Sequence, residues 1–228
     1  MAVKHKRPTV KDNARVLREI MARLRKAYPD AKVGLNWTTP LDLLIATILS
    51  AQCTDERVNI VTASLFTKYR TPQDYLDVEV EELENDIRST GFFRNKAKNI
   101  RACCSALIER FHGSVPSTLD DLVSLPGVGR KTANCVLSNC YNIAGITVDT
   151  HVIRITNLLG LVHSKDAVKI EFALMDLLDK SDWNDFNHLI ITHGRRTCIA
   201  RRPQCHLCPI SDLCPSVTIS SAGGTVSS

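Results

Sequence analysis

The chain lacks the features that would seat it in a membrane or send it out of the cell. Its 228 residues contain no run approaching eighteen apolar residues, roughly what a helix needs to cross a bilayer. The basic start Met1-Ala2-Val3-Lys4-His5-Lys6-Arg7 is followed by no apolar stretch of the kind a secretory leader carries. No segment shows convincing apolar–polar alternation and no internal repeat is present, which argues against a sheet protein and a repeat array. Neither sign of charge dominates: 29 Lys and Arg against 24 Asp and Glu leave a net charge of +5. That mild excess suits a polyanionic partner without making the chain a simple cationic coat. Nine cysteines, an odd number, in a chain read as unsecreted argue against a disulfide scaffold. The expectation is a soluble intracellular protein, long enough for one large domain or two small ones.

What is present is helical. From Asp12 the residues Val16, Leu17, Ile20, Met21, Leu24 and Ala27 form one stripe. Pro40 to Ala51 is a nearly continuous apolar run that predicts a buried helix. Asp55 is placed to cap the next helix, and Thr71-Pro72 to open another. Further helices are predicted over Glu81–Thr90, Arg94–Phe111, Asp149–Leu159, Ser164–Leu178 and Asp185–Thr192, with Gly91, Gly113 and Gly160 as stops. The fold class is all-α. Residues 1–11 read as a mobile basic arm, and 216–228 as a tail of small residues unable to order itself.

The segment richest in chemistry is Leu125-Pro126-Gly127-Val128-Gly129-Arg130-Lys131-Thr132-Ala133, with Val148-Asp149-Thr150-His151 beyond it. Two glycines free the backbone for positive φ and for close approach to another molecule. A helix beginning at Arg130 aims unpaired N–H groups and the positive end of its dipole at the turn, which makes an anion site, with phosphate the expected anion. Ser117 to Ser124 supplies a helix before the turn, with Ser117 as its cap, so the unit is helix, hairpin, helix. Without a ligand it would be only a helix–helix connection, against which stands Lys131, one residue inside the second helix.

The cysteines sort into two kinds. Cys53, Cys103, Cys104, Cys135 and Cys140 lie in apolar, helix-like stretches and read as small hydrophobes. Cys198, Cys205, Cys208 and Cys214, spaced x6, x2 and x5, put four thiolates on short loops, close enough to grip one soft metal centre. Spacing alone leaves structural zinc and an iron–sulfur cluster both open. Neither leaves a coordination position for substrate, so the chemistry should lie elsewhere. Arg195, Arg196, Arg201 and Arg202 surround the first half of this loop and could grip phosphate.

Taken together, the hairpin with Lys131, the Val-Asp-Thr-His segment and the four-cysteine cluster resemble endonuclease III, a family of bifunctional DNA glycosylases with lyase activity. The likeness covers about residues 12–215. It implies two helical domains flanking a DNA-binding cleft: a six-helix barrel with the helix-hairpin-helix motif over 33–143, and a cluster domain from 12–32 plus 144–215. It also implies a 4Fe-4S cluster on the four cysteines rather than zinc.

By position, Lys131 matches the family's nucleophile and Asp149 its essential aspartate. Gln52 matches a residue that fills the hole left by an extruded nucleotide. Phe92 falls where relatives often carry a leucine wedge, and phenylalanine can still unstack bases. Leu125, Gly127, Val128, Gly129, Arg130, Arg201 and Arg202 complete the expected DNA contacts.

The implied chemistry is amine attack at the sugar C1′, a Schiff base, and β-elimination. Lysine titrates near about 10.4, so its free amine calls for burial and the helix dipole. A nearby carboxylate works against deprotonation, so Asp149 is better placed to balance positive charge on the sugar. A base stacked in the duplex cannot be reached, so the nucleotide must flip. The implied partner is double-stranded DNA bearing oxidised pyrimidines or abasic sites, bound by a monomer. Two rivals stand beside this reading: a monofunctional glycosylase of the same superfamily, whose adenine-removing branch lacks the lysine, and a non-catalytic DNA-binding module.

Overall fold

The computed structural model describes residues 10–217, with side chains from Asp12. Among them are eleven α-helices: α1 (Val10–Ala27), α2 (Pro40–Leu49), α3 (Asp55–Lys68), α4 (Asp74–Asp77), α5 (Val80–Asp86), α6 (Phe93–Phe111), α7 (Leu119–Val123), α8 (Arg130–Cys140), α9 (Thr150–Leu158), α10 (Ala167–Leu177) and α11 (Trp183–Arg196). The described residues contain no strand, so the class is all-α. No helix among them is long and apolar enough to cross a membrane.

The chain divides into two compact units, Val33–Thr147 and the residues before and after it. The division falls after Thr147 rather than at the expected 143. Ile146 and Thr147 are buried, and the Asn134 side-chain amide donates to the Ile146 carbonyl at 3.1 Å, which ties this stretch to α8.

In the Val33–Thr147 unit α2 is the central helix, buried from Leu41 to Leu49 and packed against α3, α6 and α8. Local chemistry fixes where it starts. Thr39 Oγ1 accepts from the Asp42 N–H at 3.1 Å, the Asp42 carboxylate accepts from the Thr39 N–H at 2.9 Å, and Pro40 fills the first helical position. Arg101 donates to the carbonyls of Tyr75, Leu76 and Val78, which satisfies the end of the one-turn helix α4.

The other unit pairs α1 with α10 and α11, and α9 with α11. Leu17, Ile20, Met21 and Leu24 bury the α1 stripe. Gly194 allows the close approach of α9 and α11, since a β-carbon there would meet His151 Nδ1 at 2.6 Å.

Several boundaries differ from the sequence reading for local reasons. Thr54, not Asp55, caps α3, and Thr118, not Ser117, caps α7, each through its hydroxyl accepting a backbone N–H three residues on. The Thr71-Pro72 signal produces only the single turn α4. Glu81–Thr90 is not one helix: α5 ends at Asp86 and a 3-10 turn covers Arg88–Thr90. Val10 already belongs to α1. Ser216 donates to the Leu158 carbonyl at 2.8 Å, so the tail does not begin at 216. The rest of the expected arm and tail lies outside the described residues.

Candidate functional site

The hairpin is built as the sequence implies, with one glycine doing what was expected of two. Gly127 has φ +76, and a β-carbon there would stand 2.8 Å from the Asn99 β-carbon. Gly129 is extended at φ −90 and serves as the N-cap of α8, where an added β-carbon would meet nothing. Its Cα faces open space at the positive end of the α8 dipole, and Gly129 itself contributes no side-chain cap to that helix.

Leu125 and Val128 turn inward at 2% and 5% exposure. A DNA contact at either would therefore have to be made by main chain, in keeping with a hairpin whose N–H groups were expected to meet the phosphates. Lys131 is exposed on the first turn of α8, so the protein by itself does not bury it as that reading required.

One cleft of about 230 Å³ in the Val33–Thr147 unit brings together the expected residues Gln52, Phe92 and Gly127, and is lined also by Asn95, Lys96 and Asn99. Gln52 (φ 53) and Phe92 (φ 48) are both left-handed, a conformation that costs a side-chain-bearing residue about 1 kcal/mol or more. Phe92 is 63% exposed, a large aromatic held out in water. Lys96, which the sequence reading missed, is buried between the segments that carry these two residues.

In the other unit Asp149 is the N-cap of α9, its carboxylate accepting from the Val152 N–H at 2.9 Å. The cap holds the carboxylate rigidly. Cys198, Cys205, Cys208 and Cys214 line a single cavity together with Ile155, Leu158, Leu159 and Ile210. Arg154 donates to Cys198 Sγ at 3.3 Å and to the Cys198 carbonyl at 2.6 Å. His193 Nε2 lies 3.8 Å from Cys208 Sγ, while Nδ1 meets the Tyr28 hydroxyl at 2.9 Å. Arg201 and Arg202 are exposed, whereas Arg196 is engaged by Asp30 through paired contacts of 2.9 and 2.6 Å. Cys103 and Cys104 are fully buried, and burial pushes the Cys103 thiol up to about 12, in keeping with an inert role.

The pattern of the HhH-GPD superfamily of base excision DNA repair proteins matches residues 45–180, and that of the iron–sulfur binding domain of endonuclease III matches 198–214. Endonuclease III of Synechocystis is 50% identical over 203 residues, which is 89% of this chain and 93% of that protein.

The chain belongs to the endonuclease III family.

Solved structures agree with the assignment. A non-covalent endonuclease III–DNA complex superposes with a TM-score of 0.86 at 46% identity, covering 89% of this chain and 95% of that one. A trapped endonuclease III–DNA covalent intermediate matches with the same score and identity, covering 89% and 96%. The protein is a DNA-binding, bifunctional glycosylase and abasic-site lyase of base excision repair, and its cofactor is a 4Fe-4S cluster.

The cysteine cavity fits that cofactor. Four thiols around one apolar-walled cavity are the ligand set of a cluster several atoms across. When bound, such a cluster supplies a rigid cross-link between the loop's cysteines.

Proposed function

We propose that Lys131 is the nucleophile of this member of the endonuclease III family, acting on oxidised or ring-saturated pyrimidines and on abasic sites in double-stranded DNA. The observation that carries the reading is the placement of Lys131: an exposed amine on the first turn of α8, directly after a capless glycine turn open to a phosphate. Backbone N–H groups at Gly127, Gly129 and Arg130 anchor the DNA strand, and Arg201 and Arg202 grip phosphates from the cysteine loop. The bound nucleotide supplies the desolvation that the free protein does not give Lys131.

The Lys131 amine forms a bond to the sugar C1′ as the bond to the base breaks, and the base leaves with the electron pair. Ring opening gives the protonated Schiff base. Loss of a C2′ proton then expels the 3′ phosphate. Asp149, fixed by its capping bond, balances the positive charge that develops on the sugar. Gln52 fills the space that the flipped nucleotide vacates, and Phe92 wedges the opposite strand. The four cysteines hold the cluster, and the protein works as a monomer wherever the cell keeps its DNA.

Borohydride reduction with an abasic-site duplex tests the reading. Wild type is expected to give a covalent adduct that Lys131→Ala abolishes while DNA binding survives. An adduct that persists in Lys131→Ala would move the nucleophile elsewhere.

A further inference from the structure

Lys96 is buried at 4% exposure, although lysines rarely lie inside without a partner. Two carbonyl groups hold it, those of Leu49 and Thr90, each at 2.8 Å. Leu49 is the last residue of α2, three before Gln52, and Thr90 ends the 3-10 turn two before Phe92. A carbonyl at the end of a helix has no partner within the helix and attracts a cation. Lys96 therefore bridges the starting points of the two segments that carry the strained residues Gln52 and Phe92. These segments are about forty residues apart in sequence, and Lys96 itself lines the cleft between them. Burial holds its ammonium below the ordinary lysine value, partly offset by Cys53, so the protein bears a cost at a place where methionine would fill the same space.

We propose that Lys96 is a positioning residue: it locks the Gln52 and Phe92 segments into one rigid jaw, so that hole-filling and wedging occur in a single insertion step. The inference rests on the insertion roles given above to Gln52 and Phe92. A charged donor bridging two carbonyls fixes both segments before DNA arrives, so little conformational freedom is lost on insertion.

The test uses the full-length, cluster-loaded protein and a duplex in which a tetrahydrofuran abasic analogue faces 2-aminopurine. Tetrahydrofuran cannot form a Schiff base, so the fluorescence rise reports insertion alone. Lys96→Met is expected to lower the insertion constant by about tenfold, the effect of losing roughly one good interaction, with cluster absorbance retained. In a Gln52→Ala/Phe92→Ala background the same change should do nothing further, because the jaw has lost its teeth. Lys96→Gln, which keeps two N–H donors on a shorter arm, is measured in parallel and should lose less. It carries the test if the methionine variant does not fold.

Insertion at the parental level in a folded Lys96 variant would overturn the proposal, as would a loss that adds in full to that of the double variant. If the double variant itself inserts like the parent, the assigned roles of Gln52 and Phe92 fail first, and that outcome is distinct from a failure of Lys96 alone.

Discussion

Asn99 lies so close beneath Gly127 that a β-carbon on Gly127 would stand 2.8 Å from the Asn99 β-carbon. The hairpin turn is thus pressed onto α6, and its first glycine is required by the protein's own packing. Gly129, two residues on, meets nothing and has an ordinary φ of −90. The two glycines of one motif answer to different constraints, and substitution separates them.

Gly127→Ala should destabilise the protein by about 1–3 kcal/mol, combining a left-handed alanine with a contact that must shift. Chemical denaturation measures it, and an unchanged midpoint would contradict the packing described.

Gly129→Ser should behave in the opposite way. Serine is a favoured N-cap, so stability is expected to hold or to rise by up to about 1 kcal/mol. The added side chain stands where a phosphate would approach, so affinity for duplex DNA should fall. Unchanged affinity would show that this N-terminus does not contact the backbone of DNA.

The two functions of Asp149 can also be divided. Asparagine still caps a helix, so Asp149→Asn should leave stability within about 0.5 kcal/mol, while Asp149→Ala should cost about 1 kcal/mol. Base removal should fall in both if the negative charge matters to the sugar. Activity that tracks stability, with Asn near wild type, would reduce Asp149 to a cap.

Burial holds the His188 imidazole below its ordinary value of 6.5, with Asp185 opposing in part. A folded state that resists protonation is penalised once the unfolded chain takes up a proton. The contribution is therefore complete above about pH 6.5 and is lost as pH falls through that value toward the folded one. Denaturation midpoints of wild type should drop more than those of His188→Asn between about pH 7.5 and about pH 5.5. Parallel drops in the two proteins would remove His188 from the account.

The sequence by itself determined what rests on a few adjacent residues. The helix stops at Gly91, Gly113 and Gly160 all have positive φ, as a left-handed terminus requires. The helix predicted from Asp149 is α9, and the apolar run after Pro40 is a buried helix. The all-α class followed because a helix's period is written along the chain that forms it.

Choices between neighbours were less legible. Thr54 and Asp55, or Ser117 and Thr118, are nearly equivalent as caps, and a register shift of one residue selects between them.

Tertiary structure alone decided burial and partnership. Nothing in Asn95-Lys96-Ala97-Lys98 distinguishes the buried Lys96 from the exposed Lys98, because the carbonyl of Leu49 that holds Lys96 lies 47 residues away in sequence. Leu125 and Val128 likewise look available in a motif and are claimed by the core. Local preference is set by residues a turn away, whereas desolvation depends on what the rest of the chain packs around a site.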